Sequence, residues 1–411
     1  MHPTVPTALA ALAKRLQSPL YVVGGYVRNA LLWGRDGGTD VDICGPLTVA
    51  QLSAAIANAD VEIVPVNPRV GTVLVRYAGE RYEYTTFRRD SYPSGGVHTP
   101  QSVTFVQTVQ EDALRRDFTI NAVYLDCHTG ALVDPTGGLE DLAHGLVRTT
   151  RAPEAVFGED GLRILRLVRF CAELGFAPEA QTLAVAKAQC GLLADISAER
   201  KREELDKILL ADVKYGVPNA FEAGLRLADE VGIWPYMGAA AARGVAQQLQ
   251  GLPPLHLTRL AGLCMALGAA DGEAASRLLG QDGLRYPNAV VRGVRRYLEG
   301  LYRPDSEVGW RLWAAEYGGE IEGIAPLWHD PLDAERAKAA WRAIRRAAVP
   351  LTHKDLPLAP GEIEAMGVPR YALGHTMQAI CRHCAAWLLC PTREEAVAIV
   401  EQIKGENRWK P

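Results

Sequence analysis

The 411-residue sequence has no apolar run near the roughly 20 residues that a helix needs to cross a bilayer. We therefore expect no membrane partner. The first residues, MHPTVPTALAALAKRL, lack the charged start and long apolar segment of a signal peptide and predict a short amphipathic helix instead. The eight cysteines show no disulfide-like spacing, so we expect a reducing, cytoplasmic setting.

The sequence also lacks an excess of positive charge. Lysine and arginine number 44 against 48 aspartate and glutamate residues, and the net charge is −4. This excludes a protein coated with positive charge, but RNA binding needs only a local basic surface. The 48% of hydrophobic and 22% of charged residues are typical of a globular protein. The length allows about two to four packed units.

Two kinds of pattern divide the chain near residue 148. Before it, Thr48 predicts the start of a helix and short β-branched runs predict strands. After it, nearly every segment has helical spacing. The expected fold class is α+β: an N-terminal head with a mixed sheet and helices, followed by an all-helical neck, body and tail. The predicted strands lie at 20–25, 41–44, 61–66, 71–77 and 81–87, and the predicted domains at 1–147, 148–210, 211–350 and 351–411.

A pair of aspartates, Asp40 and Asp42, lies in the segment DVDIC. On a strand, their spacing places both carboxylates on one face and Val41 and Ile43 on the other. Two hard oxygen ligands side by side suit a cation such as Mg²⁺. The alternative is two solvated acids on an edge strand.

A glycine turn, Gly24-Gly25, precedes this pair, between an apolar strand and a helix that carries Arg28. Backbone N–H groups at such a turn can approach a phosphate, the helix dipole favours the anion, and Arg28 would add charged contacts. The segment GGYVRN does not fit the G-x-G-x-x-G fingerprint of dinucleotide binding. Phosphate beside two carboxylates indicates metal-assisted phosphoryl or nucleotidyl transfer.

Two later stretches concentrate charge. LRRDFTINA (114–122) carries two arginines and an aspartate before a strand-like run, and FGEDGLRILRLVRF (157–170) places two acids before a helix with three arginines. Arginines among apolar residues need an anion or an acid as a partner. A salt-bridged buried helix is the alternative. The residues concerned are Arg115, Arg116, Asp117, Glu159, Asp160, Arg163, Arg166 and Arg169.

Together these motifs resemble the class II CCA-adding enzymes, which are tRNA nucleotidyltransferases, and the related bacterial poly(A) polymerases. The resemblance covers the first 210 residues well and the helical remainder loosely. The matching motifs are Gly24-Gly25-Tyr26-Val27-Arg28 with Asp40-Val41-Asp42, RRDFTINA at 115–122, Glu159-Asp160-Gly161-Leu162-Arg163, and ERKREELDKIL at 199–209.

The resemblance implies template-independent addition of CCA to the 3′ end of tRNA from CTP and ATP. The RNA 3′-hydroxyl would attack the α-phosphate and release pyrophosphate, with Asp40 and Asp42 as catalytic ligands of two Mg²⁺ ions. Glu83 is our candidate for a third catalytic acid, with a solvated strand face as the alternative. The implied partners are CTP, ATP and the acceptor arm and 3′ end of tRNA.

The resemblance also implies nucleotide contacts. Asp160 and Arg163 would form Watson–Crick-like hydrogen bonds with cytosine or adenine, since a carboxylate accepts from an exocyclic amine and a guanidinium donates to the ring. Asp117 would read the ribose. The residues expected at the triphosphate are Gly24, Gly25, Arg28, Arg116, Arg166 and Arg169, the last three of which would alternatively hold Asp160 in place.

Asn29 stands where the family commonly has an aspartate, which concerns only a supporting contact. The segment 86–103 bears on the reaction, because it has the full length of the family's flexible loop and so favours complete CCA addition. A poly(A) polymerase, a partial CC- or A-adding enzyme and an inactive RNA-binding relative remain open, as does the oligomeric state.

The helical part carries clustered arginines that we expect to contact tRNA, with solvated helix faces as the alternative. We expect Cys381 and Cys384 to be core cysteines and His329-Asp330 to be a helix cap. The clustered arginines are Arg295, Arg296, Arg303, Arg342, Arg345 and Arg346.

Overall fold

The computed structural model describes residues 3–34, 41–56, 60–91, 102–238 and 242–405. Within it the chain forms two compact units. Unit 1 comprises Met1–Gln250 and Gly283–Arg285, and unit 2 comprises Gly251–Asp282 and Tyr286–Pro411. No helix in the described ranges is both long and apolar enough to cross a membrane.

Unit 1 contains a mixed β-sheet whose strands lie between Tyr21 and Val133. The strands of the unit are β1 (Tyr21–Val23), β2 (Val41–Gly45), β3 (Val61–Asn67), β4 (Thr72–Tyr77), β5 (Glu80–Thr86), β6 (Arg88–Ser91), β7 (Ser102–Phe105), β8 (Tyr124–Asp126), β9 (Leu132–Val133), β10 (Leu146–Val147) and β11 (Ala177–Pro178). The sheet order is β3-β4-β5-β2-β1-β8-β9, while β6 pairs with β7 and β10 with β11. The predicted strands are confirmed.

The pattern of burial at the centre of the sheet explains why these segments form strands. Strand β2 is antiparallel to β1 and parallel to β5. In β5, Tyr82 and Tyr84 are buried while Glu83 between them is exposed, which is the alternation of a strand with one covered face. The exposed face of β2 and β5 therefore carries the acidic side chains.

Helices surround the sheet and form the rest of unit 1. They are α1 (Thr7–Leu16), α2 (Gly25–Trp33), α3 (Val49–Ala55), α4 (Val109–Leu114), α5 (Gly138–His144), α6 (Pro153–Glu159), α7 (Leu162–Leu174), α8 (Ala180–Ala188), α9 (Ala198–Leu209), α10 (Ala211–Tyr215), α11 (Ala220–Val231) and α12 (Val245–Gln248). Helix α7 packs against α9 and α11. Thr48 caps α3 by accepting from the Gln51 N–H, as predicted.

Unit 2 is helical in its described part. A cluster of Trp310, Trp313 and Trp328, with ring centroids 5.0 to 6.3 Å apart, lies in its core. Asp330 caps a helix by accepting from the Leu332 N–H, which confirms that prediction. The helices are α13 (His256–Ala266), α14 (Gly272–Leu279), α15 (Asn288–Glu299), α16 (Glu307–Tyr317), α17 (Ile321–Ile324), α18 (Pro331–Arg346), α19 (Pro360–Ala365), α20 (Leu373–Trp387) and α21 (Arg393–Gly405).

Three local predictions can be compared with the structure. The strand-like run after Asp117 is instead a 3₁₀ turn, Thr119–Asn121, and the strand begins only at Tyr124. Both flanks of the predicted loop 86–103 form the hairpin β6–β7, while residues 92–101 lie outside the described part. Cys381 and Cys384 are buried in α20, as expected of core cysteines.

Candidate active site

The glycine turn and an aspartate meet at the centre of the sheet. Gly24 follows β1 with φ +80°, in the left-handed region that favours glycine, and precedes the first residue of α2. Strands β1 and β2 place Val23 opposite Asp42. A Cβ atom on Gly24 would lie 3.4 Å from Asp42 Oδ2. The start of α2 and the Asp42 carboxylate are therefore adjacent.

Glu83 lies beside Asp42 on the neighbouring strand. The two residues are register partners in the parallel pair β2–β5, so their side chains leave the same face of the sheet, and both are exposed. Asp40, the second predicted metal ligand, lies outside the described residues. No group of three or more metal-binding side chains occurs in the described part of the chain. The oxygen donors of Asp42 and Glu83 are nevertheless of the kind that Mg²⁺ prefers.

Arg28 lies under the turn rather than on its surface. It is 3% exposed, and its guanidinium donates to the side-chain oxygens of Asn29, Asn121 and Tyr215 at 2.6 to 3.2 Å. Its Nη2 is 3.7 Å from the place of a Cβ on Gly25. The contacts described for Arg28 are thus with protein groups, and a direct phosphate contact by this residue stays a prediction.

The segment RRDFTINA places its two arginines around a buried carboxylate of α4. Arg115 Nε donates to Asp112 Oδ1 at 2.8 Å, and Arg116 donates to Asp112 Oδ2 and to the Tyr124 hydroxyl. Burial raises the pKa of Asp112, but the charges of Arg115 and Arg116 outweigh it and bring the pKa to about 2. The negative charge of Asp112 therefore holds both guanidinium groups in place.

Asp117, which we expect to read the ribose, is paired with Arg166 of α7. Arg166 Nε lies 2.7 Å from Asp117 Oδ2, and the Phe118 N–H donates to Oδ1 at 2.9 Å. Burial raises the pKa of Asp117, but the charges of Arg166 and Arg163 outweigh this effect and bring the pKa to about 2. The carboxylate is thus ionised and oriented before any ligand arrives.

The two predicted base-selecting residues are held by different partners. Arg200 of α9 forms a two-pronged ion pair with Asp160, with distances of 3.2 and 2.8 Å. Arg163 donates to Glu159 Oε2 at 3.0 Å and to the carbonyl oxygens of Val156 and Arg115. The structure therefore brings residues 159, 160 and 163 together at the start of α7, where the motif predicted a nucleotide site.

Arg169 lies deeper in the neck and is 5% exposed. Its Nε donates to Glu204 of α9 at 2.6 Å, and its Nη1 lies 3.3 Å from Glu173. These ion pairs agree with the alternative interpretation of this segment as a buried helix stabilised by salt bridges. The carboxylate partners described for Arg166 and Arg169 are Asp117, Glu204 and Glu173, and Arg200 pairs with Asp160. That Arg166 or Arg169 also holds Asp160 stays a prediction.

Sequence reasoning missed Arg200, Glu204 and Tyr215 as individual residues. Arg200 and Glu204 are four apart on α9 and so share one helix face, which was a readable signal within ERKREELDKIL. Tyr215 ends α10 and accepts from both Arg28 and Asn29, and no local pattern indicated this contact. The three residues contact Asp160, Arg169, Arg28 and Asn29. They would therefore position the predicted nucleotide-binding residues without touching the nucleotide themselves.

The arginines predicted to contact tRNA lie in unit 2. Arg295, Arg296 and Arg303 are each paired with an acid, namely Glu299, Glu320 and Asp333. Three others on α18 are exposed, and their role stays a prediction: Arg342, Arg345 and Arg346.

Comparison with known proteins identifies the family. The model of the family described as "Poly A polymerase head domain" matches residues 20–148, and the one described as "Probable RNA and SrmB- binding site of polymerase A" matches residues 175–237. Among curated proteins, the CCA-adding enzyme of Geobacillus thermodenitrificans is 36% identical over 296 residues, which cover 71% of this chain and 68% of the relative. That of Geobacillus stearothermophilus is 35% identical over 327 residues, covering 77% and 76%.

A solved structure agrees with these relatives. The crystal structure of the CCA-adding enzyme of Bacillus stearothermophilus in complex with CTP superposes with a TM-score of 0.75 at 28% sequence identity, over 97% of each chain. Sequence and fold thus lead to the same group of proteins. The chain belongs to the CCA-adding enzymes, a family of nucleotidyltransferases.

Proposed function

We propose that this protein adds C, C and A to the 3′ end of tRNA, using CTP and ATP without a nucleic-acid template. The observation that carries the proposal is the position of the Asp42 carboxylate against the Gly24 turn, with Glu83 in register on the next strand. Acidic oxygens beside a helix N-terminus suit a nucleoside triphosphate and its cation. Family membership and the CTP complex of a relative support the choice of reaction.

In the proposed reaction, the RNA 3′-hydroxyl attacks the α-phosphate and pyrophosphate leaves. The backbone N–H groups of Gly25 and Tyr26 at the start of α2 receive the triphosphate. Asp40, Asp42 and Glu83 would hold Mg²⁺, two ions by the resemblance, and the cation supplies charge neutralisation and activation of the hydroxyl. Asp42 and Glu83 themselves orient this end of the site because their strands are rigidly paired.

Base selection is assigned to Asp160 and Arg163. Arg200 and the Leu162 N–H together occupy three of the roughly four acceptor positions of Asp160, so one acceptor remains for the exocyclic amine of C or A. G and U present a carbonyl oxygen at that place, which a carboxylate repels. Within the described part of the chain, Arg163 uses three of its five N–H donors, which leaves two for a base.

The proposal also covers the cellular location, the roles of the domains and the extent of addition. CTP, ATP and tRNA are cytoplasmic molecules, so we place the reaction in the cytoplasm. The head at 1–147 would carry the chemistry, the neck at 148–210 the base selection, and the body at 211–350 and tail at 351–411 the tRNA contacts. The length of the segment 86–103 favours complete CCA addition.

The decisive experiment offers the purified protein three tRNA transcripts, ending before CCA, after C and after CC. Each transcript is incubated with Mg²⁺ and CTP, ATP or both, and the products are resolved to single nucleotides. Growth to CCA that stops there supports the proposal. Long A tails would indicate a poly(A) polymerase, addition confined to one step a partial enzyme, and no addition an inactive relative.

A further inference from the structure

The carboxylate of Glu159 is shared between two arginines from different parts of unit 1. Its Oε2 accepts from Arg163 Nη1 at 3.0 Å, and its Oε1 forms an ion pair with Arg151 Nη2 at 2.5 Å. Glu159 is the last residue of α6, and Asp160 follows it directly. The two ion pairs therefore hold the corner of the chain that carries Asp160, the residue proposed to accept from the amine of the base.

The backbone next to Arg151 is anchored to the motif RRDFTINA. The Thr150 N–H donates to the Asp117 carbonyl oxygen at 3.2 Å, and the Thr150 hydroxyl donates to the Arg116 carbonyl oxygen at 2.7 Å. Arg151 Nε donates to the carbonyl oxygen of Leu114, the last residue of α4, at 2.7 Å. The last carbonyl groups of a helix lack partners within it, and an arginine can satisfy them. Both ends of the Arg151 side chain are thus held in place.

Arg163 contacts the next carbonyl group at the same helix end. Its Nη2 donates to the Arg115 carbonyl oxygen at 2.8 Å. Arg151 and Arg163 therefore link one carboxylate, that of Glu159, to the adjacent carbonyl groups of Leu114 and Arg115. The Arg151 and Glu159 side chains are 29% and 19% exposed, so water screens their ion pair only in part. This ring of contacts joins the RRDFTINA segment to the corner proposed to select the base.

We propose that Arg151 is a positioning residue for base selection, which occupies one oxygen of Glu159 and so limits the hold of Glu159 on Arg163. The inference rests on the proposed function. A carboxylate with both oxygens free pairs with a guanidinium through two parallel hydrogen bonds. In that arrangement Glu159 would take a further N–H donor of Arg163, which the proposed function reserves for the base. Arg151 prevents this and leaves Arg163 available to cytosine or adenine.

The test is Arg151→Gln, which keeps a long polar side chain and removes its charge. The KM for CTP on a transcript that ends before CCA, and for ATP on one that ends after CC, should rise about fivefold to twentyfold. The preference for CTP over UTP should fall by a similar factor, because Arg163 loses a donor to Glu159. The kcat values should stay within about threefold of wild type, since the Asp42 carboxylate is unchanged.

A conservative variant separates positioning from loss of the fold. Arg151→Lys should recover part of the preference for CTP, because a lysine can hold Glu159 Oε1 but lacks the planar fork that also reaches Leu114. Arg76→Gln removes the same charge and breaks the exposed ion pair with Glu62, so it should leave KM and the preference unchanged.

A double-mutant cycle tests whether Arg151 acts through Glu159. In a Glu159→Gln background, Arg151→Gln should have no additional effect on the preference, because glutamine has a single acceptor oxygen and cannot form the two-pronged pair with Arg163. If Arg151→Gln keeps the wild-type KM and preference, or changes them equally in both backgrounds, the inference is wrong. If wild-type protein transfers neither nucleotide, the proposed function itself fails.

Discussion

The carboxylate of Asp42 is exposed on β2, so its removal can be separated from damage to the fold. Asp42→Asn keeps the shape of the side chain and should reduce nucleotide transfer to tRNA by about 10²-fold or more, because it removes a charged oxygen ligand from the proposed site. Stability should change by less than about 1 kcal/mol, since the Asp42 side chain is exposed. Single-turnover transfer of labelled CMP and thermal unfolding measure the two effects.

Glu80 provides the matched control for that variant. It is exposed at the start of the neighbouring strand β5, and Glu80→Gln makes the same chemical change away from the Asp42 face. Transfer should stay within about twofold of wild type. Near-normal transfer in Asp42→Asn, beside a normal control, would remove the assignment of Asp42 as a metal ligand.

Asp160 is expected to govern the choice of base. Asp160→Ala removes the acceptor for the exocyclic amine and the repulsion of a carbonyl oxygen, so UTP and GTP should be incorporated at an increased rate relative to CTP and ATP. The loss of discrimination against UTP or GTP should amount to roughly 1 to 3 kcal/mol. This corresponds to about a tenfold to hundredfold change in the ratio of kcat/KM for the correct and the wrong nucleotide. An unchanged ratio with a lower overall rate would show that Asp160 only supports the neck.

Asp112 makes stability depend on pH. Its pKa in the folded protein is about 2, below the ordinary 3.8, so the folded state binds this proton less readily than the unfolded state. The resulting stabilisation, about 2 kcal/mol, is fully present above about pH 5 and is lost as the pH falls towards 2. Unfolding free energies at a series of pH values should fall less steeply between pH 4 and 2 for Asp112→Asn than for wild type. Equal slopes would contradict the assignment.

Helix α9 joins the two charged clusters of the neck, because Arg200 holds Asp160 and Glu204 holds Arg169 from one helix face. Glu204 is 3% exposed, and Glu204→Gln leaves the buried Arg169 with Glu173 alone. Unfolding free energy should fall by about 1 to 3 kcal/mol, since a buried charge loses a partner. The exposed neighbour Glu203→Gln should change it by less than about 0.5 kcal/mol. Equal effects of the two variants would refute this account of α9.

Local sequence patterns predicted the strands and helices well, because these elements depend mainly on residues that are close in the sequence. The same patterns could not predict contacts between residues that are far apart in the sequence. Strand β5 could be predicted because its side chains alternate between a buried and an exposed face, and α3 because Thr48 supplies its cap. The pairing of Asp160 with Arg200 joins residues 40 apart, and that of Asn29 with Tyr215 joins residues 186 apart. Such contacts arise only once the chain has folded, so motifs could indicate candidate site residues but not the partners that hold them.

The whole molecule carries a net charge of −4, so long-range attraction cannot draw it to tRNA and binding must rest on local basic surfaces. Helix α18 offers one, because Arg342 and Arg346 are one turn apart and exposed. If both contact phosphates, the variant Arg342→Gln/Arg346→Gln should weaken tRNA binding and reduce the slope of log K against log salt by about 1 to 2. Affinity for CTP alone should not change.

The control for this variant must remove the same charge elsewhere. Arg76 and Arg277 are exposed and each forms a surface ion pair, with Glu62 and Glu273. Arg76→Gln/Arg277→Gln therefore lowers the net charge equally without touching α18. A salt slope that falls in both double variants would mean that only total charge matters. A slope that falls only when α18 loses its arginines places the phosphate contacts on that helix, because counterion release counts charges at the interface rather than over the molecule.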